Sequence, residues 1–423
     1  MIYFSRGSKN EVITPQEARE ALRGVFEKLG AKRRVLAIPP DYTRANSFAG
    51  PLTEMAWEYY GDALTDIMPA LGTHAPMTSQ QIAAMFGRVP ESLFRVHDWR
   101  NDVVTVGEVP ADYVREVSEG RVEYSWPAQV NKLLLDPSFD LILSIGQVVP
   151  HEVIGMANYT KNIFVGVGGA EGINKSHYLG ATYGMERIMG RAESPVRSVM
   201  EYARQHFISN LPIVYVQTVM AKNAAGRMEM KGLFIGDDFE CFRLASELSL
   251  QVNFTMVEKP IKKCLVWLDP DEFTSTWLGN KAIYRTRMAL ADGAKLMVLA
   301  PGLKTFGEDP QIDALIRKYG YRGTQATLAA TAANADLQAN LSASAHLIHG
   351  SSDGRFKISY CPGFQMSQAE IEGVGYEYKP IDHVMSLYKV PRLKDGWNYI
   401  NGEDVYFISN PALGLWAHPD RFK

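Results

Sequence analysis

Cysteine is scarce in this chain: Cys241, Cys264 and Cys361 are the only three among 423 residues. They stand far apart, so neither a CxxC redox pair nor a cysteine-based zinc knuckle is available. Such usage fits a reducing intracellular compartment. Long apolar runs are missing too, none approaching the roughly 20 residues that cross a bilayer. The opening MIYFSRGSKNEV has no charged-then-apolar pattern of a signal peptide. One-sided charge is also absent: 44 Lys and Arg against 47 Asp and Glu leave a net −3, too little for a global field toward nucleic acid or membrane. The expectation is a cytoplasmic protein that binds neither nucleic acid nor membrane.

What is present reads as an ordinary globular protein, 46% hydrophobic and 22% charged. The length suits two or three domains with cores that need no disulfide or metal staples. No internal repeat, linker tract or coiled coil interrupts it. Thr14 to Gly30 predicts a helix, with Thr as N-cap, Pro next and Gly at the end. RRVLAIPP follows as a short buried strand that leads into DYTRANS. TEMAWEYYGDALTD predicts a helix, IMPALGTH a strand stopping at His74, SQQIAAMFG a helix, and FDLILSIGQVV (Phe139 to Val149) a buried strand. Near residue 262 the pattern restarts. KKCLVWLDP and KLMVLAPG predict strands, with WLGNKAIYRTRMALADGA between them as a helix ending at Gly293. DPQIDALIRKYG and the Ala-rich stretch up to His346 add helices.

Alternation of this kind predicts an α/β protein, two α/β domains flanking a cleft, with mostly parallel strands and helices on their faces. We expect an N-terminal domain over 1–262, a smaller one over 263–400 that closes over the site, and a tail, 401–423, that packs back on the first. Ligands of such folds bind beyond the carboxyl ends of the strands. Asp41, Arg44, His74 and His151 all stand just past predicted strands.

Each of these residues also has a bland reading. Asp41 and Arg44 in DYTR can form a local surface ion pair, or Arg44 can grip an anionic group with its planar fork. His74 in GTHAPMT has an imidazole suited to proton transfer near neutrality, yet a lone turn histidine is commonly a surface residue. In HEVIGMANYTKNIFVGVGGAEGINKSH, Lys161 follows His151 by ten residues and His177 follows Lys161 by sixteen. VGVGG, ending in Gly168 and Gly169, could cradle a phosphate but lacks the spacing of a P-loop or dinucleotide motif. His74, His151 and His177 could together hold zinc, although they form no local metal motif. His346 and His349 in HLIH could be ligands or a helix cap.

In order, Asp-x-Thr-Arg, Gly-x-His, His151, Lys161 and His177 resemble the lactate racemase family over most of residues 35–310. The resemblance implies a nickel-pincer nucleotide cofactor (pyridinium-3-thioamide-5-thiocarboxylic acid mononucleotide nickel), covalently attached at Lys161, with His177 as nickel ligand. It implies His74 and His151 as the acid and base of a 2-hydroxy acid racemase or epimerase, and cofactor-synthesis proteins as partners. Arg44 would orient the substrate, Asp41 would hold the cofactor ribose or Arg44, and Gly168 and Gly169 would lie near the cofactor. The family's Tyr-Gln-x-x-Lys segment corresponds to Tyr284-Arg285-Thr286-Arg287-Met288, so Tyr284 and Arg285 are the substrate-binding candidates and the lysine is replaced. That departure points away from lactate, toward a larger hydroxy acid or an aldonic acid. The other departure is that the glycine pair follows Lys161 instead of preceding it. The alternatives are a non-catalytic nucleotide- or nickel-binding homologue and a three-histidine zinc hydrolase.

Overall fold

The structure is a computed structural model that describes residues 1–223, 225–412 and 414–422. It divides into two compact units: residues 1–179 with 188–253, and residues 180–187 with 254–423. Each is built around a six-stranded sheet.

The first sheet contains β1 (Ile2–Gly7), β2 (Val35–Ile38), β3 (Leu64–Ile67), β4 (Leu141–Gln147), β5 (Ile213–Lys222) and β6 (Met228–Gly236). Their spatial order is β1-β6-β5-β4-β2-β3. The run β3-β2-β4-β5 is parallel, and β6 and β1 add an antiparallel edge. Both faces are covered, so β2 and β4 are apolar without alternation of polar residues. Leu36, Ile38 and Ile142 enter one core cluster. Val35, Ala37, Leu141 and Leu143 enter another on the opposite face. Helix α1 (Pro15–Leu29) starts as expected, Thr14 and Glu17 forming a reciprocal capping box with Pro at the first position. Helices α2 (Ala49–Tyr60), α3 (Ser79–Phe86), α4 (Ala170–Tyr183), α5 (Pro195–Phe207) and α6 (Phe239–Asn253) follow.

The second sheet contains β7 (Ile261–Trp267), β8 (Leu290–Ala300), β9 (Lys357–Pro362), β10 (Glu377–Tyr378), β11 (Gly396–Ile400) and β12 (Glu403–Ile408). Its order is β10-β9-β8-β7-β12-β11, parallel except for the β11–β12 hairpin. Helices α7 (Pro310–Tyr319), α8 (Thr324–Ala333) and α9 (Leu341–His349) belong to this unit. The chain is thus an α/β protein with mostly parallel sheets. Among the described residues no helix is long and apolar enough to cross a membrane.

Three local expectations are corrected. The third strand is Leu64–Ile67, which starts three residues before IMPALGTH and ends at its first residue. The helix expected to end at Gly293 shrinks to Thr276–Gly279 and Lys281–Tyr284. Gly293 lies inside β8 with φ at 75° and donates its N–H to the Arg355 carbonyl, so its conformational freedom serves a kink in a strand. The segment 401–423, described except for Leu413 and Lys423, belongs to the second unit. Cys264, Leu265 and Val266 pair with Tyr406, Phe407 and Ile408, which makes β12 an interior strand of the second sheet.

Arg287 is buried in spite of its charge. Only 4% exposed, it donates to Glu186 at 2.7 Å, to the Ser351 carbonyl at 3.0 Å and to Asp353 at 3.3 Å. Removing it leaves the buried Ser351 carbonyl without its donor and takes one of two arginines from the part-buried Glu186. Arg287→Ala should therefore lower stability by about 3 kcal/mol in urea unfolding, and an unchanged midpoint would contradict this reading.

Candidate functional site

Parallel strands place their carboxyl ends on one edge of the sheet. From neighbouring β3, β2 and β4 the chain runs on to His74, to Asp41 and Arg44, and to His151. The loops are tied together as they leave. Ala70 N–H donates to the Pro39 carbonyl at 2.7 Å, and Gly72 N–H donates to the Gly166 carbonyl at 2.8 Å. Asn162 completes the junction: its Nδ2 donates to the Ile38 carbonyl at 3.0 Å and to Ser144 Oγ at 2.9 Å. A side chain bridging the ends of β2 and β4 thus fixes the residue next to Lys161.

His74 is held by Asp41, its Nδ1–H donating to Oδ2 at 2.6 Å. Burial acts to raise the Asp41 carboxyl. The hydrogen bond and charge of His74, with Thr43 and Arg44, outweigh it and hold the group below the usual carboxylate range. With Nδ1 committed, Nε2 of His74 is the nitrogen that can accept a proton. His151 sits differently, 9% exposed in a two-residue hairpin strand. Its Nδ1 accepts from the Val153 N–H at 3.2 Å, so the proton of the neutral ring lies on Nε2. Burial pushes its pKa well below 6.5, helped by the positive charges of Lys161 and Arg44 against the opposing Glu152.

Lys161 begins a short π-helix, Asn162–Gly166, that packs under these loops. Burial depresses its ammonium to about 8, Arg44 and Arg197 pushing the same way while Glu152 and Asp41 oppose them. His177 on α4 donates from Nδ1 to the Ile173 carbonyl one turn back, at 2.7 Å. That bond leaves the Nε2 lone pair as the one available to a metal. Burial again lowers its pKa, and Lys161 and Glu152 bear on it electrostatically. Asp41, Arg44, His74, His151, Lys161 and His177 therefore form one electrostatically coupled cluster in the first unit.

Gly168 and Gly169 have packing reasons of their own. A Cβ on Gly168 would lie 1.9 Å from the Phe164 carbonyl oxygen, and one on Gly169 would lie 2.5 Å from Gln129 Oε1. The Gly168 carbonyl accepts from buried His97 Nε2 at 2.9 Å, whose Nδ1 accepts from Asn131. His97 is thus a structural histidine.

Tyr284 and Arg285 stand in the second unit. Arg285 is 1% exposed and donates from Nη1 to the Gly414 carbonyl at 3.1 Å, so it does not lie on a solvated face. His346 is a core residue as well, its Nε2 accepting from Tyr321 at 2.9 Å while its ring lies 4.5 Å from that of Trp277. Among the described residues no group of three His, Cys, Asp or Glu side chains is placed to hold a metal ion. The three-histidine zinc centre considered from sequence therefore has no support in the geometry.

Residues 18–188, which contain the whole cluster, match the lactate racemase N-terminal domain. The fold extends the likeness along the chain. A Thermotoga maritima protein of known crystal structure superposes with a TM-score of 0.82 at 22% identity, over 97% of this chain and 99% of that one. The lactate racemase apoprotein from Thermoanaerobacterium thermosaccharolyticum superposes with a TM-score of 0.71 at 16% identity, over 98% of this chain and 94% of that one. No curated protein matches the chain.

Two residues that bear on this cluster escaped the sequence reading. Glu152 gives His151, Lys161 and His177 a common negative neighbour. Its position beside His151 was visible, but nothing in one sequence turns it toward three basic side chains. Arg197 is the other, taken up below.

The depressed Lys161 has a thermodynamic consequence. A lysine whose folded pKa lies below its unfolded value opposes folding at low pH, and the penalty fades as pH rises from about 8 to 10.5. Lys161→Met should stabilise the cofactor-free chain by about 2 kcal/mol near neutral pH, with the gain shrinking as pH approaches 10.5. Urea titrations at both pH values read this directly, and equal stability at neutral pH would refute it.

Proposed function

We propose that the chain is a racemase or epimerase of a 2-hydroxy acid, acting with a nickel-pincer nucleotide attached at Lys161. The observation that carries this reading is the pairing of a depressed lysine amine with three imidazoles whose ring protons are each placed by a specific partner. The donor set suits the group. An amine depressed to about 8 supplies a larger unprotonated fraction for covalent attachment than an ordinary lysine. His177 presents Nε2 as a neutral ligand, of a kind that nickel accepts. Held by Lys161 and His177, such a group would supply hydride-acceptor and hydride-donor chemistry for the substrate's α-carbon.

The chain's own residues would handle the proton and the orientation. His74, backed by Asp41, takes the hydroxyl proton through Nε2, and the carboxylate stabilises the imidazolium that results. His151, neutral with its proton on Nε2, hydrogen-bonds the substrate oxygen as the carbonyl develops. For the mirror-image substrate the roles exchange, which requires the His151 ring proton to move from Nε2 to Nδ1, with loss of the Val153 contact, so that Nε2 can accept. Arg44 supplies the cation that orients the substrate carboxylate. Met288 is fully buried where the resemblance would put a carboxylate-binding lysine. We therefore assign the substrate to a larger hydroxy acid or an aldonic acid rather than lactate.

Two measurements test this. Intact mass of protein from a host that makes the cofactor should show an adduct mapping to Lys161, with stoichiometric nickel. Chiral analysis of a hydroxy-acid panel with that protein should then show epimerisation of at least one member. His74→Ala and His151→Ala should each lower its rate by about 10² to 10⁴, and Asp41→Asn by about tenfold or more through His74. A loaded protein inactive across the panel, or full activity in the double histidine variant, would overturn the assignment.

A further inference from the structure

Lys161 is delivered by an unusual piece of backbone. The two residues before Thr160, Asn158 and Tyr159, are neither of them glycine, yet both lie in the left-handed region with φ at 70° and 57°. Left-handed conformations cost free energy for side chains with a Cβ, and they persist only where the surroundings over-determine them. The turn also rests on β4, since a Cβ on Gly146 would sit 3.0 Å from Asn158 Oδ1.

What over-determines it is Arg197, near the start of α5. The side chain is 1% exposed, and it spreads across the turn. Nη2 donates to the Met156 carbonyl at 2.7 Å, while Nη1 donates to the Asn158 carbonyl at 3.2 Å and to Thr160 Oγ1 at 2.6 Å. The guanidinium also lies 4.3 Å over the Phe242 ring. The end of the helix is docked in the same place, because Ser194 caps the Arg197 N–H and donates its hydroxyl to the Ile154 carbonyl at 3.0 Å. Three acceptors on three different residues are matched by a rigid fork, which a lysine's single ammonium cannot reproduce.

We propose that Arg197 is a positioning residue for Lys161: its guanidinium clamps the 156–160 turn in the backbone path that brings the lysine to His151 and His177. This deepens the reading above and rests on it for the purpose of the lysine, though not for the clamp itself. The structure gives Arg197 a second effect on the same group. The charged residues that bear on the Lys161 ammonium are Arg44 and Arg197, which lower its pKa, and Glu152 and Asp41, which raise it. Loss of Arg197 therefore lets the ammonium hold its proton to higher pH.

The test uses the full chain, with Arg197→Met, Arg197→Lys and Thr160→Val. The first readout needs no cofactor. Lys161 is acetylated with a small acylating reagent across pH, and its labelling is quantified by peptide mass spectrometry against exposed Lys9. In the parent chain the labelling midpoint should lie at about 8. Arg197→Met should move it upward by about half a unit or more, whatever happens to the plateau, which reports exposure instead. Arg197→Lys keeps the charge and should restore the midpoint. The second readout is occupancy of the Lys161 adduct in protein from the cofactor-producing host. Both Arg197 variants should lower it by about fivefold or more, because neither spans the turn. Thr160→Val, which removes one acceptor from a folded chain, should lower it by roughly twofold. Parental midpoint and occupancy in a cooperatively melting Arg197→Met chain would overturn the proposal. If that variant does not fold, parental occupancy in both Arg197→Lys and Thr160→Val would do so. A parent chain with no adduct whose midpoint still shifts would instead defeat the cofactor reading and leave the clamp standing.

Discussion

Keeping an amine inside protein, next to other cations, is the constraint on which the first unit is arranged. Lys161 lies among Arg44, Arg197, His151 and His177, with Glu152 and Asp41 as its opposing charges. Hydrophobic packing alone would expel such a group to water, where a flexible ammonium is well solvated. It stays because its backbone has no freedom to leave. Asn162 pins the residue after it to β2 and β4, and Arg197 pins the three residues around the turn before it. Rigidity is thus supplied by polar bonds to the main chain, while the reactive side chain is left unneutralised. A site of this kind trades stability for a chemically available group.

Sheet topology settles which residues can share that environment. Because β3, β2 and β4 are adjacent and parallel, residues far apart in sequence leave the sheet on one edge. The loops beyond them are tied together by backbone hydrogen bonds, so the positions of His74 and His151 follow from the sheet as well as from local preference. The two imidazoles then differ because their Nδ1 partners differ, a carboxylate for one and a backbone N–H for the other. One ring thereby presents an Nε2 lone pair and the other an Nε2–H.

Much of this was legible in the sequence, for identifiable reasons. The buried strands RRVLAI and LILSIGQ are apolar on both faces, and that alone places Asp41 and His151 beyond strand ends. The helix at Pro15–Leu29 announces itself through a complete capping box. What failed was reading through prolines and glycines in context. IMPALGTH looked like a strand because its apolar run hides Pro69, and Gly293 looked like a helix stop when it marks a kink in β8. Arg285 and Arg287 are buried because each guanidinium finds carbonyls or carboxylates inside, which charge alone does not foretell. VGVGG resembled a phosphate cradle, yet close approach to Phe164 and Gln129 accounts for its last two glycines. Periodicity reports which face of an element is buried, and it does not report which polar groups are buried with it.

Arg197 illustrates that limit and shows where a signal does exist. In SPVRSVMEYARQHF the arginine falls on the face that also carries Val196, Val199, Met200 and Ala203, all buried. A cation on the apolar face of an amphipathic helix has to meet several acceptors or a counter-ion. No carboxylate within the following turn reaches it as an ion pair among the described residues. Glu201, four residues on, acts on it only through charge. Backbone carbonyls are then the remaining partners, and carbonyls come free of sheet and helix only where a chain turns irregularly. The misplaced arginine therefore implies an irregular turn packed against its helix. In this chain the turn it grips is the one that ends at the lysine.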